Sequence, residues 1–532
     1  MTTNFYPNFN DTTWYRSCRR EIIDPIYGEV SGTIPNWLNG VLIRNGMGLF
    51  EFGNSEVDHW FDGMALLHRF ELKDGAVSYQ CRFLQSDIYK RSTTANRLVL
   101  TGFGTKAVPD PCQTIFSRIT SIFNCAKDVR DNAAISVYPF NDEIYAFSEA
   151  GIICKVDKGN LETGTKRDLT ARLAIVTHTS HPHVVEDGTV YNLGLSFSRK
   201  GATYHIVCFP NDKNNDQDAM FEKAQVVSTV PSKWRLLPSY MHSFGLTEHY
   251  FIIIEQPFTI NIPKKVLSSI FSKTPVHDVC KWHKEAETQF LVVSRKTGQL
   301  VKTFYADGFF YFHTINQYED MNHIVIDICT YKDSSSIDKF YIKALKNAQS
   351  DSNFRDSVNS SPQRFVLPLF TDGKFGDNQN FVKIPVSNAK AFVRDDGSVH
   401  VEPESICRHN CELPTFNYNK CLGKKYRFFY SLTLCTDATI PSSLLKTDIQ
   451  NRTSQVWSEQ GAYPSEPIFV SKPHAKAEDD GVILSSLIYE EDDRRVGLLV
   501  LDATTFEELG RVQFETFSAV PRTTHGWYFP ND

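Results

Sequence analysis

Residues 291–306 read LVVSRKTGQLVKTFYA. An apolar run, a polar turn containing Gly298 and a second alternating run make a β-hairpin signature. The same outline recurs at 154–169 (CKVDKGNLETGTKRDL), 444–459 (LLKTDIQNRTSQVWSE) and 498–514 (LLVLDATTFEELGRVQF), with a looser relative at 68–84 (HRFELKDGAVSYQCRFL). The anchors Asp157, Ser294, Asp448 and Asp502 stand 137, 154 and 54 residues apart. These distances fit two, two and one units of about 55–75 residues, and antiparallel hairpins at such a period point to a β-propeller with large blades. Dividing 532 residues by a period of about 75 gives seven blades.

Further strands are expected at 250–258, 323–331 and 481–491, where β-branched residues run together. Helical spacing is sparse. It places Ile115, Ile119, Ile122 and Phe123 on one face within 111–125, and Val266, Ile270 and Phe271 on one face within 262–273. The polar stretches 211–219 and 346–363 read as surface insertions, and no composition shift marks a domain boundary, so residues 1–532 are expected to form one domain.

The totals suit a globular chain with a sizeable core: 41% apolar and 22% charged residues. Thirty-nine Phe and 22 Tyr against 6 Met favour strands, and such rings also suit the walls of an apolar cavity. A net charge of −6 with no basic run argues against a nucleic-acid partner. No apolar stretch is long enough to span a bilayer or to form a secretory leader. The 12 cysteines are scattered, with Cys407 and Cys411 the one close pair. A reduced, cytoplasmic protein is expected, with the sequons at Asn10, Asn359 and Asn451 unused.

Four of the 16 histidines sit in small, aromatic or turn-rich settings between strands: His181 in SHPHV, His242 in YMHSFG, His313 in YFHTINQYED and His525 in TTHGWYF. Their separations are 61, 71 and 212 residues, the last about three times the second. Histidines at whole multiples of one blade period would all face the propeller axis, where imidazoles suit Fe, Zn or Cu. Spacing alone leaves this metal site open against ordinary core or surface histidines. Four neutral rings would also leave a divalent ion uncompensated. Glu149 (YAFSEAGI), Glu412 (CELPTFNY) and Glu466 (YPSEPIFV) are carboxylates in apolar contexts that could supply the balance or could be plain turn residues.

The ordered set IPNWLNGVLIRNGMGLF (34–50), HWFDGMALLHRF (59–70), PDPCQTIFSR (109–118), SHPHVVEDGTVYN (180–192), MHSFG (241–245), YPSEPIFV (463–470) and EDDGVILS (478–485) resembles the carotenoid cleavage oxygenase family nearly end to end, from about residue 24 to 530. Within it the chain is most similar to the insect isomerooxygenase type of the animal branch, alongside the β-carotene oxygenases and the visual-cycle retinoid isomerase. The resemblance implies an all-β, seven-bladed propeller with a helical and loop cap over its active-site face and Fe(II) on its axis. It implies His181, His242, His313 and His525 as ligands, backed by Glu149, Glu412 and Glu466, with His181 lacking a carboxylate and His183 structural. Phe61, Phe103, Ser148 and Tyr331 match substrate-lining positions. Met47 stands where family members often have proline, which alters a loop near that face.

The implied activity is O2-dependent cleavage of the central double bond of a C40 carotenoid to two aldehydes, one half isomerised to the 11-cis form. Such a substrate lives in membranes, so the apolar faces of 111–125 and 262–273 are candidate contacts for peripheral membrane association, with Cys112 a candidate for acylation. Both segments equally suit half-buried helices. Three other readings stay open: a retinyl-ester isomerohydrolase on the same iron scaffold, a non-enzymatic carotenoid- or protein-binding propeller, and a zinc hydrolase.

Overall fold

A computed structural model of the chain describes residues 5–108, 130–211, 218–265, 274–370, 379–434 and 441–531. Ile115, Ile119, Ile122, Phe123, Val266, Ile270, Phe271 and Cys112 lie outside the described residues.

Seven sheets of four to six strands follow one another around a ring as a seven-bladed propeller. Blades 2 to 7 begin with the axial strands Ser136–Phe140, Thr177–His178 with His183–Val184, Gly245–Leu246, Phe310–Asp320, Glu412–Thr415, and Ala462–Pro464 with Ile468–Ser471. Blade 1 takes its axial strand from the other end of the chain: Gly526–Pro530 pairs with Gly40–Leu49. Blade 7 returns the exchange, because Glu29–Gly32 adds an outer strand to Glu508–Glu515. The ring is therefore clasped twice, once from each end of the chain.

The four recurring hairpins are the third and fourth strands from the axis in blades 2, 4, 6 and 7. The steps between them are two, two and one blades, as the anchor spacing requires. The anchors recur because each opens a turn with its side chain. Asp157 accepts from the amides of Gly159 and Asn160, Asp448 from that of Asn451, and Asp502 from those of Thr504 and Thr505. Ser294 does the same for Thr297. The central strands are covered by neighbouring blades on both faces, so His323–Tyr331 and Gly481–Tyr489 are buried along their whole length.

Two local expectations are corrected. Residues 346–363 are not merely a surface insertion. They carry a 3-10 turn and the helix Phe354–Val358, and Phe354 packs its ring 5.0 Å from Phe9. Met47 does not sit in a loop. It is a buried residue of strand Gly40–Leu49, paired with Ala65 beside a register shift, and it faces the cavity described below. The cap over that cavity includes the helix Asp87–Ala95, started by Ser86 accepting from the amide of Tyr89. No described helix is long and apolar enough to cross a membrane.

Candidate metal centre

All seven blades converge on one point. His181 lies between the two short axial strands of blade 3, His242 just before that of blade 4, His313 within that of blade 5, and His525 next to that of blade 1. The 212-residue gap to His525 is thus three blades. Blades 2, 7 and 6 supply Glu149, Glu466 and Glu412. One ring nitrogen from each of the four histidines lies within 4.8 Å of the others.

Three imidazoles are fixed from behind. His242 Nδ1 is 2.6 Å from Glu149 Oε1, His313 Nδ1 2.6 Å from Glu412 Oε2, and His525 Nδ1 2.7 Å from Glu466 Oε1. A carboxylate can only accept, so each Nδ1 carries the proton and each Nε2 presents a lone pair inward. His242 Nε2 lies 3.1 Å from His181 Nε2 and 3.2 Å from His313 Nε2. Lone pairs facing each other at that range repel, and a cation at their centre turns the repulsion into coordination. The residues present fit a metal ion in this respect.

The electrostatics fit as well. Burial, then the charges that His525, His242 and His313 would carry, holds His181 well below the ordinary imidazole range, and burial also lowers His242. Both rings therefore stay neutral and ligand-competent at pH 7. Burial would raise the Glu412 carboxyl, but His313, Tyr331 and the Leu413 amide outweigh it and hold it below its usual value. The guanidinium of Arg44 lies 3.9 Å from Glu466 Oε2. Three carboxylates against one buried Arg44 leave two negative charges, which match a divalent ion.

The second oxygens of Glu412 and Glu466 are also held, and Glu149 Oε1 takes a second donor besides His242. Tyr331 donates to Glu412 Oε1 at 2.7 Å, the amide of Gly526 to Glu466 Oε2 at 2.9 Å, and Tyr240 to Glu149. A side chain at 526 would press within 2.7 Å of the Ile43 carbonyl, so glycine permits this approach. Among the described residues, no carboxylate is hydrogen-bonded to His181. Its Nδ1 faces the hydroxyl of Tyr138 at 3.2 Å. His183 is turned away, bonded to the Phe244 carbonyl and Tyr418.

The centre opens onto a cavity of about 1740 Å³. His242, His313, His525, Glu149 and Glu412 reach its wall, whereas His181 does not. Phe61, Phe103, Ser148 and Tyr331 all line it. The motif HWFDG explains how: Asp62 accepts from the amides of Phe103, Gly104 and Thr105, folding that loop onto Phe61. The two rings sit 5.3 Å apart, and Phe312 and Phe340 extend the aromatic wall at 6.2 and 5.6 Å from Phe61. Arg44, Tyr138 and Tyr240 are site residues that sequence reading did not single out. Tyr240 lies two positions before His242 in the quoted motif, the one signal available.

His59 braces this wall. Its Nε2–H donates to the Ile337 carbonyl at 3.0 Å and its Nδ1 accepts from the Phe61 amide at 3.1 Å, so the ring is neutral. Burial pulls its pKa down to about 3. The unfolded chain binds this proton near pH 6.5, so stability is full above that value and falls as the pH drops towards 3. The thermal midpoint is expected to fall between pH 6.5 and 4, and less steeply in His59→Gln. Identical slopes in both proteins would contradict this role.

A propeller that gathers four imidazoles at the end of an aromatic-walled cavity defines a four-histidine metalloenzyme acting on an apolar molecule. Residues 15–530 match the family model described as retinal pigment epithelial membrane protein, and the chain belongs to this family of carotenoid oxygenases. It is similar over 99% of its length to carotenoid isomerooxygenases of Galleria mellonella (41% identical, 98% of that protein) and Drosophila melanogaster (38%, 94%). It is 39% identical to the β,β-carotene 15,15'-dioxygenase of Gallus gallus, over 98% of each chain. The fold matches a structure of Synechocystis apocarotenoid oxygenase with a TM-score of 0.76 at 22% identity, covering 98% of this chain and 100% of that one.

Proposed function

We propose that this chain is a carotenoid isomerooxygenase that uses O2 to split the central C15–C15' double bond of a C40 carotenoid into two retinal-type aldehydes, one half isomerised to 11-cis. The observation that carries this reading is the convergence of His242, His313 and His525 on the wall of the aromatic cavity. The near-full-length likeness to the insect and avian enzymes supports it. The isomerised half is supported by the names of the insect relatives, and its 11-cis geometry by the family resemblance.

His181, His242, His313 and His525 would hold Fe(II), which would supply the activation of O2. The protein does the rest. A polyene offers no polar handle along its length, so the rings of Phe61, Phe103 and Phe312 fix which bond lies beside the histidines, a proximity effect. Ring faces also stabilise positive charge that develops along the polyene. Chromatography after aerobic incubation with one C40 carotenoid is expected to show C20 aldehydes with matching O2 uptake. Turnover of a retinyl ester without O2, and no carotenoid cleavage, would replace this reading with the isomerohydrolase.

The same reading includes peripheral membrane association, since the substrate partitions into bilayers. Support comes from the apolar residues of 111–125 and 262–273. Replacing Ile119, Phe123, Ile270 and Phe271 with serine is expected to release the protein from carotenoid-loaded liposomes in a flotation assay. Undiminished flotation would refute it.

A further inference from the structure

We propose that Cys407 and Cys411 form a dithiol that hydrogen peroxide oxidises to a disulfide, and that closing this bond displaces Glu412 and loosens the metal centre. The crosslink stands on thiol geometry alone, while its consequence rests on the four-histidine reading.

Cys407 is half-buried and its sulfur is surrounded by donors. The His409 amide donates at 3.4 Å and the Thr447 hydroxyl at 3.7 Å; the Ser454 hydroxyl, donor or acceptor, lies 3.5 Å away, and the Cys411 thiol, 3.9 Å away, divides its one proton between this sulfur and the His409 carbonyl at 3.4 Å. Donors converging on sulfur stabilise a thiolate, the reactive form. The Cys411 hydrogen bond leads in bringing the Cys407 thiol down to about 5, against its burial. Cys411 is buried and pushed upward, so it remains a thiol. One site thus holds an accessible nucleophile and a protonated resolving partner. Cys18 and Cys81 also interact, but both are buried to within a few per cent.

The chemistry balances. The Cys407 thiolate attacks one peroxide oxygen, the O–O bond breaks, and the departing hydroxide takes a proton to become water. Cys411 sulfur then displaces hydroxide from the sulfenic acid, forming the S–S bond and a second water. Two electrons pass from the sulfurs to the peroxide.

The coupling runs from Cys411 through the peptide bond to Glu412 and then through the Glu412–His313 hydrogen bond. A disulfide needs its sulfurs about 2 Å apart, so the 3.9 Å separation must shorten. Residues 406–411 form an irregular link between strands Glu404–Ser405 and Glu412–Thr415, and Cys411 directly precedes Glu412. On the other side, Leu413 is held at φ 49°, a left-handed conformation that branched side chains rarely adopt. Glu412 is therefore fixed between a movable thiol and a strained residue while it orients His313 at 2.6 Å.

The test treats iron-loaded protein with one equivalent of hydrogen peroxide. Non-reducing peptide mapping is expected to find the 407–411 crosslink, and Cys411→Ser to give a dimedone adduct at Cys407. Iron release to a chelator should then quicken about tenfold, the scale of losing a ligand's supporting carboxylate, and reverse with dithiothreitol. Cys407→Ser supplies the baseline for peroxide damage independent of this pair. Absence of both crosslink and adduct overturns the proposal. A crosslink that releases iron no faster than the Cys407→Ser baseline overturns the link to Glu412.

Discussion

Replacing His525 with alanine is expected to give folded protein that retains no metal and shows no turnover, and His242→Ala should behave alike. Each removes one of four ring nitrogens that lie within 4.8 Å of one another. The His525 variant also strands Glu466, whose partners would be reduced to the Gly526 amide and Arg44. Truncation before His525 is the harsher change. It deletes strand Gly526–Pro530, which pairs with residues 40–44 and packs Trp527 against Tyr138 and Tyr418 at 5.2 Å. The truncated chain should therefore lose stability as well as metal, whereas His525→Ala should keep its unfolding midpoint close to that of the metal-free parent. Metal content and thermal unfolding, measured on both, separate ligand loss from loss of the clasp. Full metal occupancy in either alanine variant would exclude that histidine as a ligand.

The second large effect is expected from Arg44→Met. Arg44 is fully buried. Its Nε donates to Thr523 Oγ1 at 2.7 Å, and its two terminal nitrogens to the carbonyls of Glu466 and Thr524 at 3.0 Å. It thereby ties blades 1 and 7 to the residues just before His525. Burial lowers its pKa to about 10, with Glu466 opposing, so it stays charged at neutral pH. Removing it leaves the Glu466 carboxylate buried without its cation, and breaking a buried pair in this way costs about 3–5 kcal/mol. Denaturant unfolding should show that loss, and metal affinity should fall with it. The cost should be smaller in a Glu466→Gln background, because no unpaired charge remains. Equal losses in both backgrounds would mean that the charge contact is not what Arg44 contributes.

Repetition made the propeller legible. Asp157, Ser294, Asp448 and Asp502 each open a turn with their own side chains, a local device that leaves the same mark wherever it recurs. The axial histidines were legible for a related reason: a blade period is a rotation, so equal spacing places residues on one axis. The remainder was hidden because it depends on contacts between blades. Tyr138 meets His181 across blades 2 and 3. Arg44 meets Glu466 across 422 residues of chain. The second clasp, Glu29–Gly32, is exposed along its length and carries no strand pattern of its own. It is a strand only because Glu508–Glu515 offers it an edge. Met47 read as a loop residue because the motif around it is glycine-rich. The structure uses those glycines for close packing instead, and a side chain at Gly48 would fall 2.3 Å from Leu66.

The central claim is that four histidines hold Fe(II) where the cavity delivers a polyene. Its most direct test is the metal content of the full-length protein purified without added metal, measured by plasma mass spectrometry alongside His242→Ala. The account predicts iron at near one atom per chain in the parent and none in the variant. Zinc as the bound metal, or iron retained equally by the variant, would contradict it.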